Sequence, residues 1–295
     1  MPSEMDSWAR RVQAESEVPA VFRETFTSFA AGLSGFPYTV YAPPDIWGSR
    51  KTNAKLIAIY DGKVLFVEKA RQEIRRREFL LEDILYVECG AVLLYSWLKI
   101  AVKSAGQSFT VMVEFNSVVK SLFEKAALII RVTVNRIFLL DSNDASYLAE
   151  KARFDYLNNI DFKYMNFSKD SLIPGEKILG MVYQPLVETK YWHVFKRVEI
   201  LPRILILTDK ELILIQDEKN QTSSRYGGVW VYAPLAKIWD LTLRADSNPN
   251  NHYLNILFSK QESILLKFSI AKKELDGFSV KISVCCNCRK KGALN

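Results

Sequence analysis

The stretch Arg203 to Gln216, RILILTDKELILIQ, decides the fold. Two runs of Ile and Leu flank Thr208-Asp209-Lys210-Glu211, the composition of two buried strands joined by a tight polar turn. Lys55 to Glu68, KLIAIYDGKVLFVE, has the same layout. Its Asp61-Gly62 pair suits a type I′ turn, which needs positive φ at both central residues. Further matches lie on either side. Val40-Tyr41-Ala42-Pro43 pairs with Val182-Tyr183-Gln184-Pro185 at an offset of 142 residues, and the two hairpins pair at 148. Leu81-Glu82-Asp83-Ile84 pairs with Leu235-Ala236-Lys237-Ile238 at 154, and Leu98-Lys99-Ile100 with Leu254-Asn255-Ile256 at 156. Insertions confined to loops produce such a slow drift, because strand registers do not tolerate added residues. An internal duplication is expected.

A chain of 295 residues, 49% hydrophobic and 25% charged, is expected to be globular and to form two domains. Its longest apolar run, around Gly90 to Tyr95, is far short of the roughly 20 residues that span a bilayer. With Glu4, Asp6, Arg10 and Arg11 and no apolar run behind them, the N-terminus does not read as a secretory signal. A cytoplasmic protein is expected, with attachment to the periphery of a membrane as the variant. The net charge of +7 is concentrated late: residues 271–295 hold six basic and two acidic side chains, which leaves 34 against 31 elsewhere. A charge carried by a tail is a poor sign of a nucleic-acid face, and no nucleic-acid partner is expected.

Pro19 and the stripe Val18, Phe22, Phe26, Phe29, Leu33 predict an amphipathic helix ended by Gly32 and Gly35, in an N-terminal segment of residues 1–35. Strand signals fill Phe36 to Phe115, and a helix capped by Asn116 or Ser117 runs to about Arg131. Residues 132–175 read as a connector: a helix from Ala145 to about Leu157 behind an Asp144 cap, with Ala145, Leu148, Ala149, Ala152 and Tyr156 inward, then a linker from Asn158 to Gly175. Strands resume over 176–282, and residues 283–295 read as a basic, cysteine-containing tail.

Pro174-Gly175-Glu176-Lys177, then Thr208-Asp209-Lys210-Glu211-Leu212 between aliphatic runs, then Pro234-Leu235-Ala236-Lys237-Ile238-Trp239-Asp240-Leu241, resemble the bacterial pleckstrin-homology-like domain family. The resemblance covers Glu176 to about Ile270 directly and Phe36 to about Arg131 through the repeat. It implies a mainly β fold with helices (α+β): two tandem PH-like antiparallel β-barrels, 36–131 and 176–282, plus N-terminal and inter-domain helices. Each barrel would be closed at one end by a helix. The first copy supplies that helix, whereas in the second only Ala271 to Asp276 reads as helical before Gly277.

Catalytic motifs are absent: no Gly-x-Ser-x-Gly elbow, phosphate loop, His-Glu-x-x-His pair or dinucleotide fingerprint occurs. His193 and His252 are isolated, and Cys285-Cys286-Asn287-Cys288 lacks the fourth ligand of a structural zinc site. No enzyme activity, cofactor or metal is expected. The expectation is a non-enzymatic interaction or scaffold module whose partner is a protein or another copy of the chain, with Trp47, Trp192 and Trp230 as aromatic anchors. The alternative is peripheral binding to anionic lipid surfaces through the tail and basic loops. Arg50, Lys51 and Lys55 in the first copy and Lys190, Lys196 and Arg197 in the second would hold phosphates there. A small-molecule-binding protein or an enzyme is the distant third reading.

Overall fold

The computed structural model describes residues 8–47, 50–191, 195–218 and 227–292. The chain is mainly β with five α-helices among the described residues, and its strand ladders are antiparallel. It divides into two compact units, Met1–Val134 and Asn135–Asn295. No helix among the described residues is long and apolar enough to cross a membrane.

Unit 1 begins with a short strand β1 (Arg10–Val12) and helix α1 (Ala20–Ala30). There follow β2 (Tyr38–Ala42), the ribbon β3 (Ile46–Trp47) and β4 (Arg50–Lys51), β5 (Ala54–Tyr60), β6 (Lys63–Ala70) and β7 (Glu73–Leu80). One sheet has the order β1-β2-β5-β6-β7. After a 3-10 turn at Leu81–Asp83 come β8 (Ile84–Val92), β9 (Tyr95–Ser104) and β10 (Gln107–Asn116), with β9 in the middle. Asn116 caps the next turn by accepting from the Val118 N–H, and α2 (Lys120–Asn135) closes the unit.

The β5–β6 hairpin shows why its sequence is apolar at nearly every position. Leu56, Ala58, Leu65 and Val67 pack against Phe22, Phe26 and Phe29 of α1. Ile57, Ile59, Val64 and Phe66 face the other way, into a core shared with β8, β9, β10 and α2. Alternation along a strand sends neighbours to opposite faces, so a strand covered on both sides loses its polar half. Removing this much apolar surface from water is the main stabilising term of the unit. The turn is the expected one, with Asp61 at φ 44° and Gly62 at φ 78°. The helix stripe read from the sequence is buried at Val18, Phe22, Phe26 and Phe29, with Leu33 partly so. Strand β1, in a segment read as helix, adds an edge to β2.

Unit 2 opens with α3 (Ala145–Ala152), which Asp144 caps as expected, and a 3-10 turn at Asp155–Asn159. Two expectations fail here. Leu148 and Tyr156 point outward, and Tyr147 is the buried side chain of α3. The supposed linker holds α4 (Phe162–Ser171), capped by Asp161 and packed on the hairpin beneath it. Strands β11 (Ile178–Gln184), β14 (Arg203–Thr208), β15 (Glu211–Gln216) and β16 (Gly227–Pro234) pair in that order, and β12 (Val187–Tyr191) and β13 (Phe195–Ile200) form a separate hairpin. A 3-10 turn at Leu235–Lys237 leads to β17 (Asp240–Ala245), β18 (His252–Leu257) and β19 (Ser263–Phe268), with β18 central. Helix α5 spans Lys272–Gly292, so the helix expected to stop at Asp276 continues. Leu275, Phe278, Ile282 and Cys286 form its buried stripe, at spacings of three, four and four. A Cβ at Gly277 would meet nothing within 4 Å: this glycine is a passenger inside the helix and not its end.

The phrase that carries the family resemblance is structural. Thr208 Oγ1 accepts from the N–H groups of Lys210 and Glu211 and donates to the buried carboxylate of Glu176 at 2.9 Å. Glu176 also receives the Ile173 N–H at 2.9 Å, which ties the Pro-Gly-Glu loop to the β14–β15 turn.

The sequence offsets are recovered as ladder registers. Val40 stands opposite Ile57, and Val182 opposite Leu205. Leu56 faces Val67, and Ile204 faces Ile215. Val64 and Phe79 map onto Leu212 and Ala233, and Val87 and Ile100 onto Leu241 and Ile256. The correspondence of elements also extends beyond the segments matched in the sequence. At the same offset of 142, α1 falls on α4, and Phe22, Phe26 and Phe29 correspond to Tyr164, Ser168 and Ser171, all buried. Ser168 and Ser171 stand where the first unit has phenylalanines, so the sequence carries no apolar stripe there.

Candidate functional site at Arg203

Arg203 is the first residue of β14, on the face that also carries Leu205 and Leu207. Gln184 of β11 and Gln216 of β15 stand opposite it. The side chain is 5% exposed, with its guanidinium 5.6 Å from the centre of the Phe268 ring. Its Nε donates to the Leu201 carbonyl at 3.4 Å, a long bond. Among the described residues no carboxylate lies within 4.0 Å of it. Burial pulls its pKa down to about 10, and the nearby Tyr164 oxygen acts in the opposite sense. Gln184 is engaged at both ends, since it accepts from the Ser269 N–H at 2.6 Å and donates to the Pro185 carbonyl at 2.7 Å. Gln216 is not: its Oε1 is buried without a hydrogen-bond partner. His252, opposite Phe268 in the β18–β19 ladder, is buried with Nδ1 in the same condition.

The equivalent position in unit 1, 148 residues earlier, is Lys55. Ala42 and Glu68 stand opposite it. Its ammonium makes a short ion pair with buried Glu114 and lies 3.9 Å from Glu68. The first unit neutralises its buried cation from within. In the second, the residue facing the cation is Gln216 where the first has Glu68. Breaking or omitting one half of a buried pair leaves a desolvated charge, a condition costing several kcal/mol unless an outside group meets it, about 3–5 where the partner is removed by mutation.

Neighbouring cations of unit 2 do have carboxylates. Lys267 lies 3.0 Å from Asp246 and 3.2 Å from Glu199, and Lys163 lies 2.7 Å from Asp217. Tyr164 donates to Asp217 at 2.9 Å and Tyr183 to Asp161 at 2.8 Å, and burial with these carboxylates pushes both phenols up. Those pairs hold α4 and the β13 region against the sheets. The Arg203 guanidinium can donate to the oxygens of an anion.

The residues singled out from the sequence do not gather into one site. Lys51 is exposed at the β3–β4 ribbon, and Arg50 lies there too, with its side chain outside the described residues. Lys55 is buried and held by Glu114, so its expected role as a free phosphate ligand is corrected. Lys190 and Lys196 face each other across the β12–β13 hairpin, their side chains outside the described residues, and Arg197 beside them is exposed. Trp47 is in β3, its side chain also outside the described residues, as is the whole of Trp192. Trp230 is half-buried and packs on Phe167, with ring centres 4.7 Å apart. Cys286 is buried in α5 and Cys285 half-buried, while the Cys288 side chain lies outside the described residues. Among the described residues no group of three His, Cys, Asp or Glu side chains could hold a metal ion. Cys89 is a core thiol whose pKa burial pushes up to about 12. Sequence reasoning missed Arg203, although the signal was present in the aligned change from Glu68 to Gln216. Neither the family models nor the curated protein sequences compared with this chain match it.

Proposed function

We propose that the chain is a non-enzymatic interaction module of two duplicated pleckstrin-homology-like units, and that it binds a protein partner by receiving an anionic group at Arg203. The matched registers support duplication. A four-strand meander, a 3-10 turn, a three-strand meander and a closing helix in each unit support the PH-like reading. That architecture alone assigns no ligand. The observation that carries the function is the buried guanidinium without a carboxylate, set beside Lys55 with one. A carboxylate or phosphate on the partner supplies in unit 2 what Glu114 supplies in unit 1.

Thermal unfolding of the full chain, titrated with inorganic phosphate and with an acetylated glutamate-rich peptide, tests this. Binding raises the midpoint, by about 1.4 kcal/mol of stability for a tenfold excess over Kd. Arg203→Gln abolishes the rise. An equal rise in that variant, or no rise in the natural chain, removes the reading.

Anionic lipid is the second reading, favoured by the β12–β13 hairpin. Lys190 and Lys196 are register partners in that hairpin. Binding of this kind requires anionic vesicles and disappears at high salt.

A further inference from the structure

The β8–β9 hairpin of unit 1 ends in Leu93 and Leu94, which are 69% and 61% exposed. Val118, just beyond β10, is 59% exposed. Ser117 binds these segments together: its Oγ donates to the Leu93 carbonyl at 2.7 Å and its N–H to the Leu94 carbonyl at 2.8 Å. The Ser96 hydroxyl, 2.7 Å from Ser117 Oγ, completes the lock. Leu93 has φ 54°, the left-handed region, where a side chain with a Cβ is disfavoured and glycine or asparagine is usual. The matching connection of unit 2 reads Asp246-Ser247-Asn248-Pro249-Asn250-Asn251. A polar connection therefore serves the same hairpin, and folding does not demand the leucines.

We propose that Leu93, Leu94 and Val118 insert into the apolar layer of a lipid surface and attach unit 1 to it whatever the charge of the lipid. Carbonyls at a hairpin tip ordinarily bond to water. Here Ser117 satisfies both, so the tip can leave water without stranding an acceptor. Size separates lipid from a protein pocket. Three apolar side chains bordered by Asn116, Ser117 and Lys120 fall well short of the roughly 800 Å² per partner of a stable protein interface, whereas shallow insertion needs no more than such a tip. Half-buried Tyr95 follows Leu94 directly, an aromatic side chain with a polar end suited to the headgroup level. Lys120, two residues beyond Val118, is 3.3 Å from Glu124, which leaves it little net charge to draw the tip to anionic lipid. This attachment goes beyond the partner at Arg203 and does not depend on it.

The test is sedimentation of the full chain with pure phosphatidylcholine vesicles and with vesicles containing one-fifth phosphatidylserine, at millimolar lipid and at low and high salt. Two inserted leucines hold less than one acyl chain, so half-saturation on the order of millimolar lipid is expected, equal for both vesicles and unchanged by salt. The double variant Leu93→Gly, Leu94→Asn places favourable residues in the turn and so keeps the fold. It is expected to lose binding about tenfold or more, with an unfolding midpoint at least as high as that of the natural chain. Binding by the variant at the natural level, binding only to anionic vesicles with release by salt, or no binding to either vesicle overturns the proposal.

Discussion

Lys55 and Arg203 occupy one position of a repeated ladder and live under opposite conditions. In unit 1 the cation meets Glu114 and Glu68, so the position is finished and serves stability. In unit 2 the facing residue is Gln216, and among the described residues no carboxylate lies within 4.0 Å of the guanidinium. On the proposed reading, the unit without an internal counterion is the one that receives an anion. A buried ion pair adds little stability over an apolar pair of the same shape, yet removing one member is severe. Two carboxylates hold the cation in unit 1, and the ladder positions that match them carry Gln216 and Lys267 in unit 2.

A large effect is expected from breaking the finished pair. Glu114→Gln leaves the Lys55 ammonium with Glu68 alone, 3.9 Å away, and should destabilise unit 1 by about 3 kcal/mol in denaturant unfolding. The reciprocal change, Gln216→Glu, gives Arg203 its own carboxylate. It should stabilise unit 2 by about 1–3 kcal/mol and abolish the phosphate response. If Gln216→Glu leaves that response intact, the two positions are not equivalent.

The covering helices give a second contrast. Phe26→Ala should cost about 3–5 kcal/mol, because a fully buried ring leaves a cavity between α1 and the sheet. Its counterpart Ser168 is equally buried with an unpartnered hydroxyl, so Ser168→Ala should be neutral or stabilise by up to about 1 kcal/mol. Comparable losses at both sites would argue that α4 does not sit on its sheet as α1 does. The smallest effect belongs to the closing helix. Gly277→Ala should add about 0.5–1 kcal/mol, read as slower amide exchange along α5.

Much of the framework was legible because it rests on local pattern. Asp61-Gly62 announced a turn, Asp144 and Asn116 announced caps, and aliphatic runs announced strands covered on both faces. Helix α4 was not legible, since Ser168 and Ser171 interrupt the apolar spacing by which such a helix is recognised. Helix α5 was hidden by Gly277, a residue that ends helices only where the chain turns left-handed. The basic residues were legible as a list but not as a site, because sequence shows a charge without showing its counterion.

By itself the sequence marked the matching segments and most of the strands, since these depend on residues near one another or on a period of two. Only the tertiary structure decided which cations are free. Lys55 and Glu114 are 59 residues apart, and their pairing exists only once β5 and β10 have been brought together. The same holds for the leucine tip, whose carbonyls are satisfied by Ser117 from beyond the next strand. Charge compensation and desolvation depend on distances across the fold, and these exist only after the chain has closed on itself.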